Sequence, residues 1–155
     1  MRNANAVPIG ATPQHQKLES FVGRWRTEGR VLLPTGDEPI EISGTDTYEW
    51  LPGGHFMLHW VDVSIGDDKV HNLEVIGYEE EHDRYPTRFF DHRGDSGGYV
   101  ATESGGVWRF ATEGARATLV IDRSGDRMDA KWERMDADGL WQPWMEMTLI
   151  RAESS

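Results

Sequence analysis

Phe56-Met-Leu-His-Trp-Val-Asp62, the turn Gly66-Asp-Asp68 and His71-Asn-Leu-Glu-Val-Ile-Gly77 read together as a β-hairpin. Both runs are rich in β-branched and aromatic residues, and turn formers separate them where a helix would need continuity. Directly opposed residues of an antiparallel pair share a face. A loop of even length therefore sets Phe56, Leu58, Trp60 and Asp62 on one face with His71, Leu73 and Val75. The other face carries His55, Met57, His59, Asn72 and Glu74, which reads as solvated, so the first face is expected to point inward.

The same rhythm extends in both directions. Turn signals such as Leu33-Pro-Thr-Gly-Asp37, Pro52-Gly-Gly54, Gly94-Asp-Ser-Gly-Gly98, Ser124-Gly-Asp126 and Asp136-Ala-Asp-Gly139 punctuate about ten short apolar segments. Upstream, Thr12-Pro13 makes an N-cap and first helical position, and Leu18, Phe21 and Val22 share one face of a short helix ending at Gly23. The expected fold is all-β: a closed antiparallel up-and-down barrel of about ten strands with a short N-terminal helix. Closure removes the exposed strand edges. Residues 12–152 form the barrel domain in this reading, and residues 1–11 a flexible lead-in. Carried round the chain, the inner face takes Trp25, Val31, Ile40, Ile42, Tyr48, Phe90, Tyr99, Trp108 and Phe110. The last three strands add Leu119, Ile121, Met128, Ala130, Trp132, Trp141, Met145, Met147 and Leu149.

At 155 residues, 37% of them hydrophobic with seven Trp, the chain is large enough for one continuous core. A formal charge of -11 repels phosphate backbones and anionic lipid heads, which argues against nucleic-acid and membrane-surface partners. Zero cysteines excludes disulfides, thiolate metal sites and a cysteine nucleophile. The opening residues have no apolar export segment and no run approaches a membrane span, so a cytoplasmic location is expected.

Gly23-Arg24-Trp25 at the start of the first strand resembles the Gly-x-Trp signature of calycin barrels, the lipocalin and fatty-acid-binding-protein group. Arg151 on the last strand matches the basic residue that packs on that Trp in those barrels. Residues 14 to 151 resemble the DUF1579 family of uncharacterised bacterial lipocalin-like proteins. Val75-Ile-Gly-Tyr78, Asp83-Arg-Tyr85, Phe89-Phe-Asp91, Gly98-Tyr99 and Trp132-Glu-Arg134 carry that resemblance. The resemblance implies a barrel and no reaction. Nitrobindin, a relative in fold, binds haem through a His near its C-terminus. Here the last histidine is His92, so haem is not expected, and no other cofactor is.

His55 and His59 would suit zinc on a helix, but on a strand they stand about 13 Å apart at ~3.3 Å per residue, so no metal site is expected. The polar cluster expected to face inward is Asp62 opposite His71, joined by Arg88 and His92 if the next loop is also even; the other parity sends those two outward and leaves Thr87, Phe89 and Asp91 inside. Tyr48 and Tyr99 add hydroxyls among Trp60, Phe90 and Trp132. An apolar cavity with a few convergent polar groups is the usual form of a small-molecule pocket. These nine residues are the candidate ligand site, with Arg88 the donor to a carboxylate head. One alternative is an isomerase, cyclase or hydratase that uses His71 or His92 as its acid–base group. Another is a filled barrel that makes a homodimer or other contact through Trp144, Tyr78 or Met57.

Overall fold

The computed structural model describes residues 12–152. The flexible lead-in expected over residues 1–11 lies outside that range. Pro13–Lys17 forms α1, and a 3-10 turn over Leu18–Phe21 continues it. Thr12 caps α1 through its side-chain oxygen, which accepts from the His15 backbone N–H at 3.3 Å. Ten strands follow: β1 Gly23–Val31, β2 Ile40–Trp50, β3 Met57–Ile65, β4 Asp68–Ile76, β5 Tyr85–Asp91, β6 Ser96–Ser104, β7 Val107–Ala111, β8 Ala115–Ile121, β9 Arg127–Met135 and β10 Trp141–Arg151. Each strand pairs antiparallel with its neighbours in sequence, and β1 pairs with β10, so the sheet closes into the barrel read from the sequence.

Closure is locked at one end by Trp25 and Arg151, which face each other in the β1–β10 register. Trp25 is fully buried and its indole N–H donates to the Phe21 carbonyl at 2.8 Å. The Arg151 guanidinium lies 4.2 Å from the centre of the Trp25 ring and donates to the carbonyls of Ser20, Val22 and Gly125. Gly23 makes room for that arm: its φ is +132°, and a Cβ there would stand 2.4 Å from an Arg151 nitrogen.

The helical segment covers the same end. Phe21 stacks on Tyr48 and meets Trp108 edge-on, each at 5.1 Å between ring centres. Polar ties from two core side chains also fix it: Trp50 donates to Glu19 at 2.6 Å, and the Tyr85 hydroxyl to the Gln14 carbonyl at 2.8 Å. Leu18 and Phe21 are almost wholly buried, and each such burial stabilises by about 1.5–3 kcal/mol.

The core inside β1, β2 and β6–β9 is the one expected: Trp25, Ile42, Tyr48, Trp108, Leu119, Met128 and Ala130 are buried. The faces of β3, β4 and β5 are reversed from the expectation. The six-residue connection 51–56 pairs Trp50 with Met57 and Tyr48 with His59, so Met57, His59, Val61 and Val63 point inward. Phe56, Trp60 and Phe90 are instead among the exposed large apolar residues, at 45%, 46% and 47%. Two further placements differ. A bulge between Pro143 and Met145 turns Trp141 outward, under the Arg116 guanidinium, and brings Trp144 against Trp132. Ile40, at the end of β2, is exposed. Among the described residues no helix is long and apolar enough to cross a membrane.

Candidate interior site

β2, β3 and β4 each deliver one charged side chain to the barrel interior: Asp46, His59 and Glu74. His59 Nε2 lies 2.6 Å from Asp46 Oδ1 and His59 Nδ1 lies 2.7 Å from Glu74 Oε1. A carboxylate only accepts, so both imidazole nitrogens must carry protons, and His59 is a cation between two anions. Burial alone pushes the His59 imidazole down, but Glu74, with hydrogen bonds to both carboxylates, more than reverses this and raises it to about 9. Thr27 on β1 donates its hydroxyl to the second oxygen of Asp46. Tyr48 stacks flat on the His59 ring, 3.9 Å between centres. Burial, with Asp46 and Glu74 nearby, holds the Tyr48 hydroxyl well above its ordinary value. Burial raises the Tyr99 hydroxyl likewise, with Glu74 the next cause.

This polar wall faces a cavity of about 210 Å³. Most of the lining is apolar, from Val61, Val63, Ile76, Phe110, Met145 and Met147, and Ala101, Ala117 and Ala130 leave space where larger side chains would close it. Asn72 on β4 also lines it, and its Oδ1 is buried with no hydrogen-bond partner among the described residues.

Three of the nine expected site residues line this cavity: Tyr48, Tyr99 and Trp132. The other six lie outside the barrel. Asp62, His71, Trp60, Phe90 and His92 do come together as their pairing predicted, but in an open depression on the outer surface. There His71 Nδ1 stands 3.5 Å from Asp62 Oδ1, with both side chains more than half exposed, and the His71 backbone N–H donates to His92 Nδ1 at 3.2 Å. Arg88 is exposed and paired with Val75 and Gly98. Hence no guanidinium from Arg88 reaches the interior to grip a carboxylate. Of the residues expected at a subunit contact, Met57 is fully buried.

Sequence reasoning missed Asp46, His59, Glu74 and Asn72 as site residues. Strand alternation alone puts His59, Asn72 and Glu74 on the solvated face. The available signal was Tyr48: with that residue inside, an even 51–56 connection already requires His59 inside. Elsewhere, Glu79, Glu81 and His82 bring three potential ligand atoms within 4.8 Å of one another at the exposed β4–β5 connection. Glu79 there is already engaged by Arg84 and His82.

Among solved structures, the chain is similar to Rv2717c from M. tuberculosis: 16% identity, TM-score 0.69, covering 92% of this chain and 99% of that one. That likeness shows the fold alone. A protein of unknown function from the DUF3598 family of Nostoc punctiforme also matches, with 9% identity and a TM-score of 0.26, covering 92% of this chain and 100% of the other. That superposition is too loose to bear on the fold. No curated protein matches the sequence. Residues 10–131 match the family model described as "Protein of unknown function (DUF1579)", and the chain belongs to that family.

Proposed function

We propose that the barrel binds one small, mostly apolar molecule in its interior. The observation that carries this reading is the cavity of about 210 Å³, apolar over most of its wall and polar at one patch. An apolar void of ~150 Å³ already accepts benzene, so a monocyclic aromatic or a short branched chain fits the space. The orphaned Asn72 oxygen supports it too, since a buried acceptor without a partner is costly unless something supplies a donor. Placement among calycin barrels belongs to the same reading and draws support from the Trp25–Arg151 closure.

The cavity histidine does not favour an acid–base enzyme. Both His59 nitrogens are engaged with carboxylates, so neither offers a lone pair to a substrate. His71 and His92 sit on the outer surface, away from the cavity.

The test is NMR of protein labelled at its methionine methyls, because Met145 and Met147 line the cavity. Toluene, benzyl alcohol and benzylamine are titrated in turn. Saturable shifts confined to cavity methyls are expected with at least one of them, and silence from all three overturns the reading.

A further inference from the structure

The charge carried by the wall bears on which head group the cavity can accept. Two carboxylates and one imidazolium leave Asp46, His59 and Glu74 with a net charge of -1. Among the described residues lining the cavity, none is Lys or Arg, so that excess negative charge has no counter-cation beside it. An uncompensated charge in a low-dielectric interior is unfavourable, and an incoming cation relieves it. Asn72 Oδ1 offers a vacant acceptor in the same lining. Tyr99, Trp108, Phe110 and Trp132 contribute aromatic rings, whose faces attract cations. An anionic head group would meet this excess negative charge, with only neutral donors such as the tyrosine hydroxyls to offset it.

Resting on the cavity-binding reading above, we propose that the interior selects a small apolar molecule carrying a protonated amine, with Glu74 and Asn72 as the specificity-determining residues. A monocyclic arylalkylamine or a short alkylamine matches the volume. The barrel thereby discriminates against fatty-acid-like carboxylates, the class an inward Arg88 would have accepted.

Four probes of similar size separate the possibilities: toluene, benzyl alcohol, benzylamine and benzoate, each titrated at neutral pH into the full chain and followed at the methionine methyls. Benzylamine is expected to bind at least ~10-fold more tightly than toluene, a difference of about 1.4 kcal/mol, with benzoate giving no saturable shift. Glu74→Gln and Asn72→Leu, made separately and checked for folding by circular dichroism, should each cut the benzylamine-to-toluene ratio at least ~5-fold. If toluene or benzyl alcohol matches or outranks benzylamine, or benzoate binds as well, the amine proposal is overturned and cavity binding stands. If the ratio survives in both variants, the assignment to Glu74 and Asn72 is overturned. If none of the four gives a saturable shift, cavity binding itself falls.

Discussion

The outcome turns on single side chains whose polarity misreports their position. His59 looks like a surface residue and is the hub of the interior wall. Its imidazole is raised to about 9 against an ordinary 6.5, so the charged form is favoured by folding. That contribution is fully present below pH 6.5 and is lost as pH rises through about 9. Integrated, it amounts to about 3 kcal/mol. The urea midpoint should therefore fall steadily between pH 6.5 and 9.5, and a flat profile would show that His59 is not an imidazolium between its two carboxylates. His59→Gln leaves Asp46 and Glu74 facing each other without a cation, and should lower stability by about 3–5 kcal/mol in urea titration. The outer cluster behaves oppositely. His71 and Asp62 are more than half exposed, so His71→Ala should leave the unfolding midpoint within about 0.5 kcal/mol of the parent and the cavity methyl shifts unchanged. A loss of probe binding in that variant would return the site to the outer surface.

Among the elements, β2 is the one that positions the site, because it carries Asp46, Tyr48 and Trp50 inward against β3. Gly44 makes its close approach to β3 possible. Its φ is +156°, and a Cβ there would stand 2.2 Å from the Asp62 carbonyl oxygen. Gly44→Ala should cost about 1–3 kcal/mol of stability, read from thermal unfolding. An unchanged melting temperature would mean that β2 shifts freely and that the Asp46–His59 distance is not fixed by this contact. β10 shows the complementary device. Its bulge after Pro143 reverses the facing of Trp141, and strict alternation counted back from Met145 could not have reported that.

Across the whole molecule, the helical segment and the Trp25–Arg151 lock fill one end of the barrel, while the alanines of β6, β8 and β9 leave the cavity. Ala101, Ala117 and Ala130 are buried, so their small volume, rather than exposure, keeps the space open. Ala130→Leu adds three carbons to that wall. It should abolish the methionine-methyl response to toluene and benzylamine while the far-ultraviolet circular dichroism stays that of the parent. Undiminished binding in a folded Ala130→Leu protein would place the bound probe somewhere other than this cavity.

By itself, the sequence determined the class of fold, the strand count, the closure residues and much of the core. The fold class, strand count and core follow from period-two alternation and turn chemistry, which are local signals, and the closure residues Gly23, Trp25 and Arg151 from the resemblance to calycin barrels. It also paired β3, β4 and β5 correctly, which is why Asp62, His71 and His92 meet in space. Which side of those strands faces inward was decided only by the tertiary structure. Both sides carry apolar residues, and the inner one hides His59, Asn72 and Glu74 among them, so hydrophobicity favours the wrong face. A buried charge is tolerable only when its partners arrive from other strands. Asp46 comes from β2 and Thr27 from β1, and no local pattern on β3 announces either. The closed barrel brings them within hydrogen-bonding distance, and that closure turns a row of seemingly solvated residues into the wall of a cavity.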